Sequence, residues 1–169
     1  MSISLSFHQA AEGNMDFITK KEIDLVGLLQ KSHCPSAGAV VLFSGEVRNH
    51  NIGKSVRFLE YEAHTSMASK MIAEILLAAR NRWCLSIAEA QHRIGKVKIS
   101  ESAVVVITAS VHREAAYASN RYIINRIKHE VPIWKCEYFA DGSKEWGGNC
   151  NCQKTTGDVN KHVYELESA

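Results

Sequence analysis

The stretch AVVVITASVHREAAYASNRYIINRIKHEVPIWKCEYF, residues 103–139, decides how this chain folds. Ala103 to Val111 is rich in β-branched residues, which suit a pleated and buried surface, and reads as a strand. Glu114 to Glu130 reads as a helix. Pro132 stops it, because the residue before a proline is driven out of the helical region. Ile133 to Phe139 then forms a last strand. On it Ile133, Lys135 and Glu137 share one face, and Trp134, Cys136 and Tyr138 share the other.

Upstream, Thr19 and Glu22 have capping-box spacing, with Ile18 and Ile23 placed as a hydrophobic staple. A helix is expected to follow through Leu25, Val26, Leu28 and Leu29 and to end at Cys34-Pro35. Gly38 to Val47 reads as a buried strand and Val56 to Ala63 as a second. Between them Asn49 to Lys54 (NHNIGK) has turn chemistry, which suggests a hairpin with a longer loop. Residues 65–82 place Met67, Met71, Ile72, Ile75, Leu76 and Ala79 on an amphipathic helix. Leu85 to His92 and Val97 to Ile99 are weaker strands, separated by Ile94-Gly95.

The order helix, strands, helix, strands, helix, strand argues an α+β fold with a mixed or antiparallel sheet, not a regular parallel repeat. One domain is expected over residues 17–146. Residues 1–16 read as a flexible N-terminus and 147–169 as a mobile C-terminal tail. The chain has 169 residues, 46% of them hydrophobic and 22% charged. That length buries a sizeable core without staples. A formal net charge of +2 gives no bulk argument for nucleic acid or an anionic membrane. No apolar run reaches bilayer length, and the N-terminus does not read as a secretory signal. The five cysteines are odd in number and unevenly spaced, so a reducing cytoplasm is the simplest setting. Cys150-x-Cys152 lacks the two-residue spacer of zinc or thioredoxin sites, and no metal site is expected. Cys84, Cys136, Met67, Met71 and Trp134 read as core or packing residues. His50 and His92 read as structural.

One constellation stands out. On a helix at about 100° per residue, Arg113, Tyr117, Arg121, Ile124 and Lys128 fall in one sector. His112 and Arg113 sit where strand passes into helix, and helix starts bind anions. Lys135 follows on the returning strand. Arg48 ends the Gly38–Val47 strand before a polar loop. Two readings fit this pattern. One is a cationic pocket for an anionic small molecule, in which close lysines depress each other's pKa. The other is a solvated helix face with Lys128 complementing the helix C-terminus.

The segments GAVVLFSGEVRNHNIG (38–53), HRIG (92–95), SVHR (110–113) and KHEVPIWKCE (128–137) resemble the large, catalytic subunit of molybdopterin synthase. The resemblance runs from Gly38 to Trp146, and its most specific part is the pair of lysines around the Pro-x-Trp spacer. It implies an α/β hammerhead fold with an added antiparallel β subdomain. It implies a sulfurtransferase that makes the molybdopterin dithiolene from cyclic pyranopterin monophosphate in molybdenum cofactor biosynthesis. It implies no bound cofactor, the sulfur arriving as a C-terminal thiocarboxylate on a small ubiquitin-like subunit ending in Gly-Gly. It implies a homodimer core within a heterotetramer. By position, Lys128 and Lys135 match the family's catalytic lysines, and Arg48, His112 and Arg113 match residues of the pterin phosphate pocket. That pocket draws on both large subunits. Beyond Trp146 the family pattern is lost.

Two other classes stay open. A non-catalytic module binding a ubiquitin-like tail would need the cleft but not both lysines. A nucleic-acid-binding domain would use the same cationic face, but no RNA- or DNA-binding motif is present.

Overall fold

The structure, a computed structural model, describes residues 16–148. Cys150, Cys152, the N-terminal segment 1–15 and the tail from 149 lie outside the described residues.

Twelve elements run in the order β1 (Ile18–Thr19), α1 (Leu25–Lys31), β2 (Ala39–Glu46), β3 (His50–Asn51), β4 (Lys54–Ala63), α2 (Thr65–Trp83), β5 (Ile87–Arg93), β6 (Gly95–Lys98), β7 (Ser102–Ser110), α3 (Arg113–Glu130), β8 (Ile133–Phe139) and β9 (Lys144–Gly148). They form two sheets. The first has the order β1-β5-β7-β2. It is mixed, because β1 pairs parallel to β5 while the other pairs are antiparallel. The second is antiparallel, in the order β3-β4-β8-β9 with β6 also on β4. This is the α+β fold with an antiparallel subdomain that the chain's pattern and its resemblance suggested.

All nine residues of β7 are buried, since both faces of this strand are covered. Val104 and Val106 pack with Ile72, Ile75, Ile123 and Ile127 of α2 and α3. Val105 and Ile107 pack with Ile23, Leu25 and Leu28 on the opposite face. Double coverage explains why AVVVITA does not alternate with polar residues. A third cluster, Val47, Val56, Leu59, Val97, Ala103 and Phe139, joins the second sheet to the end of the first.

Several local expectations change. Thr19 does not cap a helix. Its backbone belongs to β1, where its carbonyl accepts from Ile94 N–H at 2.8 Å. The cap of α1 is Asp24, whose Oδ1 accepts from Gly27 N–H at 2.9 Å. The apolar run of α1 is not wholly core: Val26 is 66% exposed. The expected hairpin of residues 38–63 does not form, because β2 pairs with β7 and β4 pairs with β8 in different sheets. The hairpin is instead β3–β4, with Ile52 and Gly53 at φ 47° and 74° as its two turn residues. A register shift between Val56 and Phe58 rotates Val56 onto the Leu59 face, so both are buried. Cys84 is exposed and ends α2 in the left-handed conformation. Met67 and Trp134 are also largely exposed, whereas Cys136 is buried. The last strand runs to Gly148, two residues past the expected domain end.

Candidate functional site at the seam of the two sheets

α3 begins at Arg113, one residue earlier than expected, and is fastened to the first sheet by buried polar side chains. Asn120 Nδ2 donates to the carbonyls of Val41 at 3.0 Å and Val106 at 3.1 Å. Thr108 Oγ1 donates to Ala116 O at 2.8 Å. These bonds satisfy groups that would otherwise be costly to bury, and they set the helix's rotation over β2 and β7. Lys128, two turns beyond Asn120, is thereby carried to the seam. After Pro132 the chain returns as β8, paired antiparallel with β4, and Lys135 lies opposite Tyr61.

A cavity of about 150 Å³ opens at this seam. Its wall takes Arg48 from just after β2, His50 and Asn51 from β3, and Tyr61 from β4. β5 contributes His92, α3 contributes Lys128, and β8 contributes Lys135 and Glu137. Arg48, Lys128 and Lys135, distant in sequence, therefore share one cavity.

Glu137 is 6% exposed and is held at both oxygens. Lys135 Nζ stands 2.7 Å from one, and Asn51 Nδ2 donates to the other at 2.7 Å. A buried carboxylate needs such pairing, and here it fixes Lys135 in place. The alternation of β8 was read correctly: Lys135 and Glu137 share the face that lines the cavity, and Cys136 on the other face is buried as well. Lys135 is therefore tied down on the cavity side, while Trp134 on the other face is 48% exposed.

Lys128 as a whole is exposed. Enough protein still surrounds its ammonium that loss of hydration is the largest cause holding its pKa below the ordinary lysine value. The positive charges of Lys135 and then Arg48 add to that. Burial pushes the Tyr61 phenol up to about 12, with the Glu137 charge as a further cause. Burial takes the His92 imidazole down to about 4; its bond to the Arg93 carbonyl opposes this and the Lys128 charge adds to it.

His112 and Arg113 lie elsewhere. They stand at the opposite end of α3, fifteen residues from Lys128, or about 22 Å at 1.5 Å per residue. His112 is the helix N-cap residue and makes no capping bond with its side chain. Arg113 is exposed, with Nε 3.2 Å from Glu114 Oε1. Within one chain, His112 and Arg113 do not join Arg48, Lys128 and Lys135 at the cavity, because the length of α3 separates them. Sequence reasoning also passed over Glu137, Asn51 and Tyr61 as cavity residues and took His92 as structural. The i, i+2 spacing of Lys135 and Glu137 was the available signal for Glu137. Nothing local marked Tyr61.

The arrangement sets three cations, Arg48, Lys128 and Lys135, against the Glu46 carboxylate and the already engaged Glu137 around a small cavity. It suits an anionic ligand, stabilisation of developing negative charge, and proton transfer by an amine of lowered pKa. Fold and site together define a two-sheet α+β protein with a lysine-bearing cationic cleft at the sheet seam. The chain belongs to the MoaE protein family, whose model matches residues 18–130. That span includes Arg48, His112, Arg113 and Lys128, and ends before Lys135.

Similar proteins agree. A molybdopterin synthase catalytic subunit of Thermoplasma volcanium is 40% identical over 129 residues, 76% of this chain and 94% of that protein. One of Bacillus subtilis is 43% identical over 132 residues, 78% of this chain and 83% of that protein. The crystal structure of molybdopterin synthase from Staphylococcus aureus superposes with a TM-score of 0.73 at 39% identity, covering 78% of this chain and 95% of that one.

Proposed function

We propose that the chain is the catalytic subunit of a molybdopterin synthase. It transfers sulfur from the C-terminal thiocarboxylate of a small ubiquitin-like subunit to cyclic pyranopterin monophosphate, forming the molybdopterin dithiolene. The observation that carries this reading is the convergence of Arg48, Lys128 and Lys135 on one cavity, in a chain whose relatives bear that name.

Each transfer forms one C–S bond at a pterin side-chain carbon as a C–O bond there breaks, and water then cleaves the C–S bond to the partner and restores its carboxylate. Lys128, on the wall of the cavity, draws in the thiocarboxylate and moves a proton at its Nζ. Its lowered pKa leaves more free amine at neutral pH than an ordinary lysine has. Lys135, held by Glu137, binds substrate and stabilises developing negative charge. Arg48 binds the phosphate. Sulfur enters on the partner, so the reaction as proposed calls for no bound cofactor.

His112 and Arg113 serve the site of a second copy in a homodimer, which with two small subunits makes a heterotetramer. Two observations support this. They are exposed at the far end of α3. In addition, a cavity of about 150 Å³ is smaller than the roughly 300–1,000 Å³ typical of complete small-molecule sites. No helix among the described residues is long and apolar enough to cross a membrane, and the cytoplasm is the proposed location.

The test is reconstitution with a thiocarboxylated Gly-Gly partner and cyclic pyranopterin monophosphate, following dithiolene formation. Conversion that depends on both Lys128 and Lys135 is expected. Partner binding without conversion would instead support a non-catalytic module for ubiquitin-like tails.

A further inference from the structure

His92 is 3% exposed, yet its ring lines the cavity. Its Nδ1 lies 2.9 Å from the carbonyl oxygen of Arg93. A carbonyl only accepts, so Nδ1 carries the hydrogen, and in a neutral imidazole Nε2 is then a bare acceptor. Among the described residues Nε2 has no hydrogen-bond partner. It is also absent from the fully enclosed, unsatisfied polar atoms, which are Glu89 Oε2 and Arg93 Nε. Nε2 is therefore not fully enclosed, and His92 borders the cavity.

The ring is fixed from several sides. The His92 backbone N–H donates to Phe17 O at 2.7 Å. Tyr61 packs edge-on, with ring centroids 5.1 Å apart and planes at 69°. Lys128 from α3 and the Tyr61 phenol from β4 are the titratable groups facing the ring. Arg48, His50, Lys135, Glu46 and Glu137 are the other titratable or charged residues that line the cavity. A protonated His92 would add a fourth cation to that wall, and burial together with the Lys128 charge disfavours it.

We propose that His92 is a ligand-positioning residue: its Nε2 accepts a hydrogen bond from an N–H or O–H donor of the small molecule whose anionic group the cavity's cations hold. This rests on the functional reading above. Both oxygens of Glu137 are already engaged, by Lys135 and Asn51. An extra carboxylate would offset the cations that the anionic group needs. A neutral acceptor orients a donor-bearing heterocycle without weakening the hold on its phosphate, and so distinguishes it from a bare phosphate of equal charge.

The test compares wild type, His92→Phe and His92→Gln, each assembled with the thiocarboxylated partner, using cyclic pyranopterin monophosphate and inorganic phosphate as probes. His92→Phe is expected to raise KM for the pterin about 10-fold, the worth of one hydrogen bond. Its kcat should change less and its phosphate affinity not at all. His92→Gln, which restores an acceptor near Nε2, is expected to recover most of the loss. In the unmutated protein, ¹⁵N-histidine NMR should show the Nδ1–H tautomer and a shift of the Nε2 resonance when the pterin is added. An Nε2–H tautomer, or a wild-type KM in His92→Phe, overturns the inference alone. A wild-type protein that neither binds nor converts the pterin overturns the functional reading itself.

Discussion

The two ends of α3 carry similar side chains on one sector and do different work. At the N-terminal end, Arg113 is exposed and pairs with its neighbour Glu114. At the C-terminal end, Lys128 stands beside Lys135 and Arg48, and its pKa falls through lost hydration and then like charge. The sector is the same, but the surroundings are not. A helical wheel shows direction around the axis and hides distance along it, so residues about 22 Å apart look like neighbours. Chemistry at one end needs no contact with the other end of the same molecule. In the homodimer proposed above, the other end of a second copy would supply the remaining cations.

The largest expected effect tests the C-terminal end. Lys128→Ala or Lys135→Ala should each cut dithiolene formation by about 10²–10⁴-fold, the usual worth of an acid–base or charge-stabilising group. Circular dichroism should stay unchanged. Near wild-type conversion by both variants would break the contrast.

The next prediction joins the two ends. Arg113→Ala and Lys128→Ala homodimers should both be impaired. A mixed dimer of one protomer of each should regain about half the wild-type rate, because one of its two sites is then intact. Failure of the mixed dimer to exceed both parents would place Arg113 outside the site.

A third prediction concerns stability. His92 titrates near 4 when folded and about 6.5 when unfolded. Its folded value is depressed, so the unfolded chain binds the extra proton between these limits. Stability should therefore fall as pH drops from about 6.5 to 4, by at most ~3 kcal/mol. In His92→Gln this part of the pH dependence should vanish in urea titrations. An unchanged slope would refute a neutral buried imidazole.

Asn120→Ala should cost about 2 kcal/mol in chemical denaturation, because two strand carbonyls lose their donor. A loss no larger than that of an exposed site on α3 would show that the helix is not anchored there. The smallest effect is a titration shift. In Lys135→Ala the Lys128 amine should titrate at higher pH, toward the ordinary lysine value, since one of its two like charges is gone. NMR of the lysine Cε reads this directly, and no shift would mean that Lys135 does not reach it.

Much of the architecture was readable along the chain because its causes are local. The strand around Val104–Ile107, the proline stop at Pro132 and the amphipathic run from Met71 to Ala79 follow from side-chain shape, backbone restriction and periodicity. Local signals also misled where a longer-range partner intervened. Thr19 had cap spacing, but β5 claimed its backbone. Residues 38–63 had hairpin spacing, but β7 and β8 offered longer ladders in two separate sheets. The alternation of β8 was right, yet the face that lines the cavity could not be chosen from it, since Lys135 and Glu137 tolerate burial only as a pair completed by Asn51.

The opening segment, residues 103–139, thus carries its strand, helix and strand in its own residues, because propensity and proline geometry act over a few bonds. It also holds both lysines of the cavity. Whether those lysines meet Arg48, and whether His112 and Arg113 do not, depends on sheet pairing and on the length of α3. Electrostatics and burial act through space between residues far apart in the chain, and only the tertiary structure sets those distances.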